Sequence, residues 1–370
     1  MNKKAIKKVL ASILTMSMVL GLVGVGNLSG KAQIVKAETS EIAGVQTRTV
    51  NLQIDGDIAG ITNPTVPTDT TSAWAGSKVY FGKYNNNPLL FRVLDVKTTD
   101  YSADGTTETM LLDSDILFAA KYFNQAELNT SWASSDIKIW MQGTGANQFL
   151  EQFSAIEKDT IIASNKNEPS ITDGTITAGT SFVPLENDTV FALDAVELKN
   201  TSYGYSDTED AVTNRIKKLG GKDNWWWTRS PYHNGNYVRF VHTTGKIANA
   251  GTPNANEMSL NPAMNLNLSS ILFISVSGQD KTSSFTTTET SDSNTWNLTL
   301  AGGKGFSATL SDSVITLEEE INVDITNLGT DLSDSALTEG YYSQLSAILV
   351  DENGTVLAYG KVYFLVSILM

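Results

Sequence analysis

Apolar and polar positions alternate with a period of two along most of this chain, and only a few stretches carry the helical period. The pattern centres on Asn224-Trp225-Trp226-Trp227-Thr228-Arg229-Ser230-Pro231, where three of the chain's seven tryptophans stand side by side. As a strand, this stretch puts Trp225, Trp227 and Arg229 on one face and Trp226, Thr228 and Ser230 on the other. Flanking strands supply enough apolar side chains to bury both faces, which predicts a central strand. Pro231 has no amide hydrogen for a ladder and ends it. Tyr232-His233-Asn234-Gly235-Asn236-Tyr237 then reads as a loop with Asn-Gly turn chemistry, and Val238 to His242 as the returning strand.

Upstream, Lys78 to Tyr84, Leu89 to Val96 and Thr109 to Leu117 read as an antiparallel meander. Helical spacing follows. Ser134-Ser135-Asp136 cap a helix over Ile137 to Met141, and Phe149, Leu150, Phe153, Ile156 and Ile161 mark a second, amphipathic one. Asp194 with Glu197 forms a capping-box pattern for a short helix. Asp207 to Leu219 carries the strongest helix signals, with acids in its first turn, Lys217 and Lys218 in its last, and Gly220-Gly221 as a stop. Ala163 to Pro184 is a polar insertion. Beyond residue 295, short alternating segments at Trp296–Leu300, Phe306–Leu310, Val314–Leu317, Ile321–Ile325, Leu345–Val350 and Thr355–Val366 predict a small antiparallel β-sandwich.

The ends set the domain plan. Lys3, Lys4, Lys7 and Lys8 precede an apolar run from Val9 to Val25, and Val35-Lys36-Ala37 offers small-residue cleavage chemistry, so residues 1–37 read as an export signal. The expected order is then an extended arm over 38–75, a first domain over 76–277, a Ser/Thr-rich linker over 278–295 and a β domain over 296–370. Loss of the signal removes six lysines, which moves the formal charge from −14 to 26 − 6 − 40 = −20. Such an acidic chain repels phosphate backbones and anionic lipid, so neither nucleic acid nor a membrane is expected as a partner after signal cleavage. The chain has no cysteine, which excludes disulfides, thiol nucleophiles and thiolate metal sites.

Five blocks along the first domain now carry a resemblance. They are Val79-Tyr80-Phe81-Gly82 with Phe91-Arg92-Val93-Leu94-Asp95, then Trp132-Ala133-Ser134-Ser135-Asp136-Ile137-Lys138-Ile139-Trp140 and Phe191-Ala192-Leu193. Trp226-Trp227-Thr228-Arg229-Ser230-Pro231 and Asn261-Pro262-Ala263-Met264-Asn265-Leu266 complete the set. Over roughly residues 76–275 the chain resembles a family of uncharacterised secreted domains of Gram-positive bacteria, related to C-type-lectin-like and formylglycine-generating-enzyme-like folds. The family pattern has Val-Arg-Pro-Ala where this chain has Leu260-Asn261-Pro262-Ala263. The resemblance implies an α+β, C-type-lectin-like domain of antiparallel strands with flanking helices, ahead of the β-sandwich-like one.

Candidate chemistry gathers at the tryptophan strand. Trp226 and Trp227 read as core, while Trp225 is the candidate stacking platform. Arg229 suits either a carboxylate clamp or an internal ion pair, and the internal pair is the favoured reading. Tyr232, His233, Asn234, Asn236 and Tyr237 combine flat faces with amide hydrogen bonding in one loop. Two histidines, His233 and His242, make a poor metal set, and no cofactor or catalytic residue is assigned. Calcium has two weak candidate segments, Asp113 with Asp115 and Asp351-Glu352-Asn353-Gly354, neither in a twelve-residue calcium loop. The expected function is a secreted or cell-surface, non-enzymatic binding module for glycan or a cell-envelope polymer. A hydrolase with an unrecognised carboxylate pair and an adhesin that binds a surface protein are the alternatives.

Overall fold

The computed structural model describes residues 60–85, 87–167, 183–232, 236–276 and 294–300, and separate strands near both ends of the chain. Contacts divide the chain into two compact units. One comprises Gly60–Leu268 with Asn294–Trp296, and the other Met1–Ala59, Ser269–Ser293 and Asn297–Met370.

The first of these units is built on two sheets. Strands β1 (Lys78–Tyr84), β2 (Asn87–Thr98) and β3 (Thr109–Ser114) form the antiparallel meander that alternation predicts. The chain then leaves that sheet through Asp115 and enters the second as β4 (Phe118–Tyr122). Later come β5 (Val190–Ala192), β6 (Trp226–Pro231), β7 (Val238–Val241), β8 (Ile247–Gly251), β9 (Glu257–Leu260) and β10 (Pro262–Asn267). Five of the seven strands of the first sheet run β5-β10-β3-β2-β1, and the second sheet runs β8-β7-β6-β9-β4. The tryptophan strand β6 is therefore central. It lies antiparallel to β7 and parallel to β9. Asn261 is the single residue between β9 and β10, so the chain crosses between sheets there as it does at Asp115.

Only two α-helices occur among the described residues, α1 (Asp136–Gln142) and α2 (Ala155–Thr160). Ser135 caps α1 by accepting from the Lys138 amide, and Ile137, Trp140 and Met141 turn one stripe inward. The amphipathic segment around Phe149 to Ile161 is not one helix. It splits into a 3₁₀ turn at Leu150–Gln152 and α2, because Ser154 and Glu157 close a full capping box and start a new helix. Phe149 sits fully buried in the resulting aromatic core, with ring centres 5.0 Å from Phe118, 5.2 Å from Phe153 and 5.7 Å from Trp140.

The expected helix over Asp207 to Leu219 is absent. That segment holds a 3₁₀ turn at Thr213–Arg215 and then a short hairpin, Lys218–Leu219 against Lys222–Asp223, turned by Gly220 and Gly221 at φ of 56° and 83°. The cause is Arg215, fully buried, whose guanidinium donates to the backbone oxygens of Gly245, Leu198, Ser206, Thr208 and Asp210. Carbonyls that would close helical turns are held open instead. With its helices reduced to α1, α2 and 3₁₀ turns, the chain is predominantly β, with several sheets. It is not the helix-flanked, lectin-like α+β fold implied by the sequence blocks.

Gly60 to Ala75, expected as part of an extended arm, packs down: Ile61 and Trp74 are buried, and Trp74 Nε1 donates to the Tyr203 oxygen at 2.9 Å. The other unit contains two four-stranded antiparallel sheets and the strand Ile271–Val276. One sheet runs Leu14–Met16, Leu345–Val350, Thr355–Lys361, Val50–Asn51. The other runs Ser307–Leu310, Ile321–Thr326, Gly30–Ile34, Tyr363–Leu365. Leu14–Met16 and Gly30–Ile34 fall inside residues 1–37, the expected export signal. The predicted strand at 314–317 lies outside the described residues.

Candidate functional site

Strand β6 is buried on both sides, and each of its faces serves a different chemistry. Trp226 and Trp227 are wholly buried. The Trp227 ring meets Phe123 edge-on at 5.7 Å, and its Nε1 donates to the Lys121 oxygen at 2.9 Å. Gly251 on β8 makes room for that ring, since a Cβ there would stand 2.4 Å from Trp227 Cζ3. Trp225, just before the strand, is 39% exposed. Its indole leans on Phe240 at 5.5 Å and on His242 at 5.1 Å, with interplanar angles of 34° and 35°. Phe240 and His242 are two apart on the returning chain, so they present to the same side. His242 Nδ1 accepts from the Thr244 amide at 3.2 Å, which places the proton of a neutral ring on Nε2. The result is an aromatic shelf of three rings, of which the Trp225 indole is the exposed one.

Arg229 does not take part in it. Its guanidinium is fully buried and donates to Glu197 Oε2 at 2.6 Å, the Ala192 oxygen at 2.9 Å and the Val183 oxygen at 2.9 Å. Glu197 also accepts from the Tyr101 hydroxyl at 2.8 Å and from the Asp194 amide at 2.7 Å. Burial pushes its carboxyl upward, but the Arg229 charge and hydrogen bond outweigh that and hold it below the usual value. Asp194 is raised, with burial as the main cause, and takes the Ser230 hydroxyl at 2.7 Å. The expected capping box is only half made: Glu197 takes the Asp194 amide, but Asp194 takes the Val196 amide, a 3₁₀ turn at Glu197–Lys199 stands in place of a helix, and Glu197 serves as the counter-ion of Arg229.

The loop residues lie elsewhere. Tyr232 is half-buried, its amide donates to the Tyr237 oxygen at 2.6 Å, and its ring lies 5.7 Å from the Arg239 guanidinium. Arg239 in turn pairs with Glu209 at 2.7 Å. Because Arg239 and Phe240 are neighbours on one strand, their side chains leave opposite faces of the sheet. Trp225 goes with Phe240 and Tyr232 goes with Arg239, so the structure separates two residues that the sequence groups together. Tyr237 is half-buried and Asn236 exposed beside Tyr232, while His233 and Asn234 lie outside the described residues. Phe240 and His242 are the shelf residues that loop-centred reasoning leaves out. The pairing of β6 with β7 and their i, i+2 spacing are the signal for them.

The acids considered for calcium hold the protein's own cations. Asp115 pairs with Lys78 and with Arg92, both at 2.8 Å. Burial would raise its carboxyl, yet these two cations bring it down to about 2. Asp113 is buried against Lys217. Among the described residues, no group of three or more His, Asp or Glu side chains is placed to hold a metal ion. Residues 351–354 lie outside the described residues. No helix among the described residues is long and apolar enough to cross a membrane.

With this geometry in hand, comparison with known proteins adds one finding. Residues 106–268, from β3 through β10, match a family described as a domain of unknown function, DUF6273. No curated protein and no solved structure matches the chain. Over its central 163 residues (268 − 106 + 1), then, the chain is similar to an uncharacterised domain family.

Proposed function

We propose that this protein is an exported binding module that docks the flat face of a sugar ring, in a glycan or cell-envelope polymer, on Trp225. One observation carries the reading: a tryptophan 39% exposed yet held in place by Phe240 and His242. An indole fixed from beneath loses little freedom when a second flat surface stacks on it. The acids nearest the strand, Glu197 and Asp194, are sealed under β6 in hydrogen bonds to Arg229, Ser230 and backbone amides, an arrangement suited to holding a strand rather than to cleaving a glycosidic bond.

The test is a glycan array on the purified protein, with and without calcium, beside Trp225→Ala and Trp227→Ala. Trp225→Ala is expected to weaken binding about tenfold or more with little change in melting temperature, since stacked aromatic pairs contribute about 0.5–1.5 kcal/mol beyond area burial. Trp227→Ala is expected to lose about 3–5 kcal/mol of stability. Early melting of Trp225→Ala, or full binding by a Trp225→Ala variant that melts normally, overturns the shelf as the site.

A further inference from the structure

Lys217 is a buried lysine whose position the packing of β6 does not explain. It is fully buried, its Nζ lies 5.4 Å from the Trp226 ring, and it comes from the segment where a C-terminal helical turn was expected. Three acceptors surround Nζ: Asp113 Oδ2 at 2.5 Å, the Ser114 oxygen at 2.5 Å and the Asn261 carboxamide Oδ1 at 3.0 Å. Asn261 is itself fully buried and donates through Nδ2 to Asp113 Oδ1. Tyr205 donates to Asp113 Oδ2, Arg92 stands close by on Asp115, and Lys78 completes the charged groups facing this corner. Asp113 thus touches the amine with one oxygen and the amide nitrogen with the other.

We infer that Lys217 and Asn261 are joined by an intramolecular isopeptide bond, formed autocatalytically with Asp113 as the proton carrier. In the step, the Nζ lone pair attacks Cγ of Asn261, which lies one carbonyl bond beyond an oxygen 3.0 Å away. The Nζ–Cγ bond forms and the Cγ–Nδ2 bond breaks. Asp113 takes one proton from Nζ and passes that same proton to Nδ2, so the amide nitrogen leaves as ammonia and the carboxylate is restored. No oxidant or further reactant enters. Burial, opposed by Asp113 and assisted by Arg92, brings the lysine down to about 7 from 10.5, which eases the transfer of its proton to Asp113 and the release of the lone pair. Fixed, water-excluded partners supply the orientation that such a slow acyl transfer needs. The bond would tie the turn after Arg215 to the crossing between β9 and β10, in a chain that has no cysteine for a disulfide.

The unaltered protein provides the decisive measurement. With its N-terminus sequenced, the intact mass is expected to be one ammonia below the sequence mass. Trypsin is expected to release Ile216–Lys218 and Ile247–Lys281 as one joined species, uncut after Lys217, which separates the cross-link from ammonia lost at other asparagines. Lys217→Met and Asn261→Ala are expected to regain the full mass. Asp113→Asn keeps both reacting groups and is expected to stay uncross-linked. Full mass in cooperatively folded wild-type protein, with cleavage after Lys217, overturns the inference and leaves a buried ion pair between Lys217 and Asp113. Cross-linking in Asp113→Asn overturns the role of the carboxylate. If a variant fails to fold, the wild-type peptide map still distinguishes the cross-link from the ion pair.

Discussion

Arg229 shows how burial changes the meaning of a charged side chain. On the sequence it sits two positions after Trp227 and suits a ligand clamp as well as an internal pair. In the fold it is sealed beneath β6 and tied to Glu197 at 2.6 Å. Removing one partner of such a pair strands the other charge in a low-dielectric interior, whereas removing both leaves a packing problem only. Arg229→Met is therefore expected to cost about 3–5 kcal/mol. Arg229→Met with Glu197→Leu is expected to recover much of that loss, read as urea midpoints with unchanged slope. A double variant that loses as much as the sum of the singles would mean that the hydrogen bonds to Ala192 and Val183, not the charge pair, hold the strand. Trp225 makes the complementary case. Its neighbours on the strand are buried, and it remains half open because it stands where the strand begins.

Among the elements, the segment from Asp207 to Leu219 is the clearest conflict between local and tertiary preference. Its acids, lysines and glycines satisfy helix rules, and isolated propensity is worth only tenths of a kcal/mol per residue. Against that, Arg215 makes five hydrogen bonds to backbone oxygens, three of them from the surrounding turns Ser206, Thr208 and Asp210. Hydrogen bonds to a charged donor contribute about 1.5–3 kcal/mol each, and a lysine cannot reproduce the planar fork. Arg215→Lys is expected to lose at least about 3 kcal/mol in thermal or urea unfolding. A variant within about 1 kcal/mol of the parent, close to the ordinary surface range, would show that the irregular segment has another cause. The capped helix α1 is the opposite case, because Ser135 and its inward stripe agree with the local signal.

At the scale of the whole molecule, the division into two units and the polar composition of residues 278–293 lead to one expectation for native-state proteolysis. Trypsin should cut first after Lys281, where Phe285 is the only large apolar side chain between residues 278 and 293, and leave Gly60–Leu268 uncut on the N-terminal fragment. First cuts inside residues 76–268 would refute that boundary. The same preparation reports the N-terminus: a start near Glu38 supports export processing, and a start at Met1 refutes it. Processing there would also remove Gly30–Ile34 from between Ile321–Thr326 and Tyr363–Leu365.

Features that depend on neighbours along the chain are legible in the sequence. Period-two alternation marks β1, β2, β3 and β6. Ser135 marks one helix start, and Gly220-Gly221 marks a turn, though of a hairpin rather than at the end of a helix. The remainder emerges only in three dimensions, because the deciding contacts join distant positions. Lys217 meets Asp113 across 104 residues and Asn261 across 44, and Asn261 meets Asp113 across 148. Whether Trp225 and Tyr232 share a surface depends on which side of β7 each one packs against. Alternation within one strand says which residues share a face, but the partner strand and the burial around it decide which face meets solvent and which becomes core.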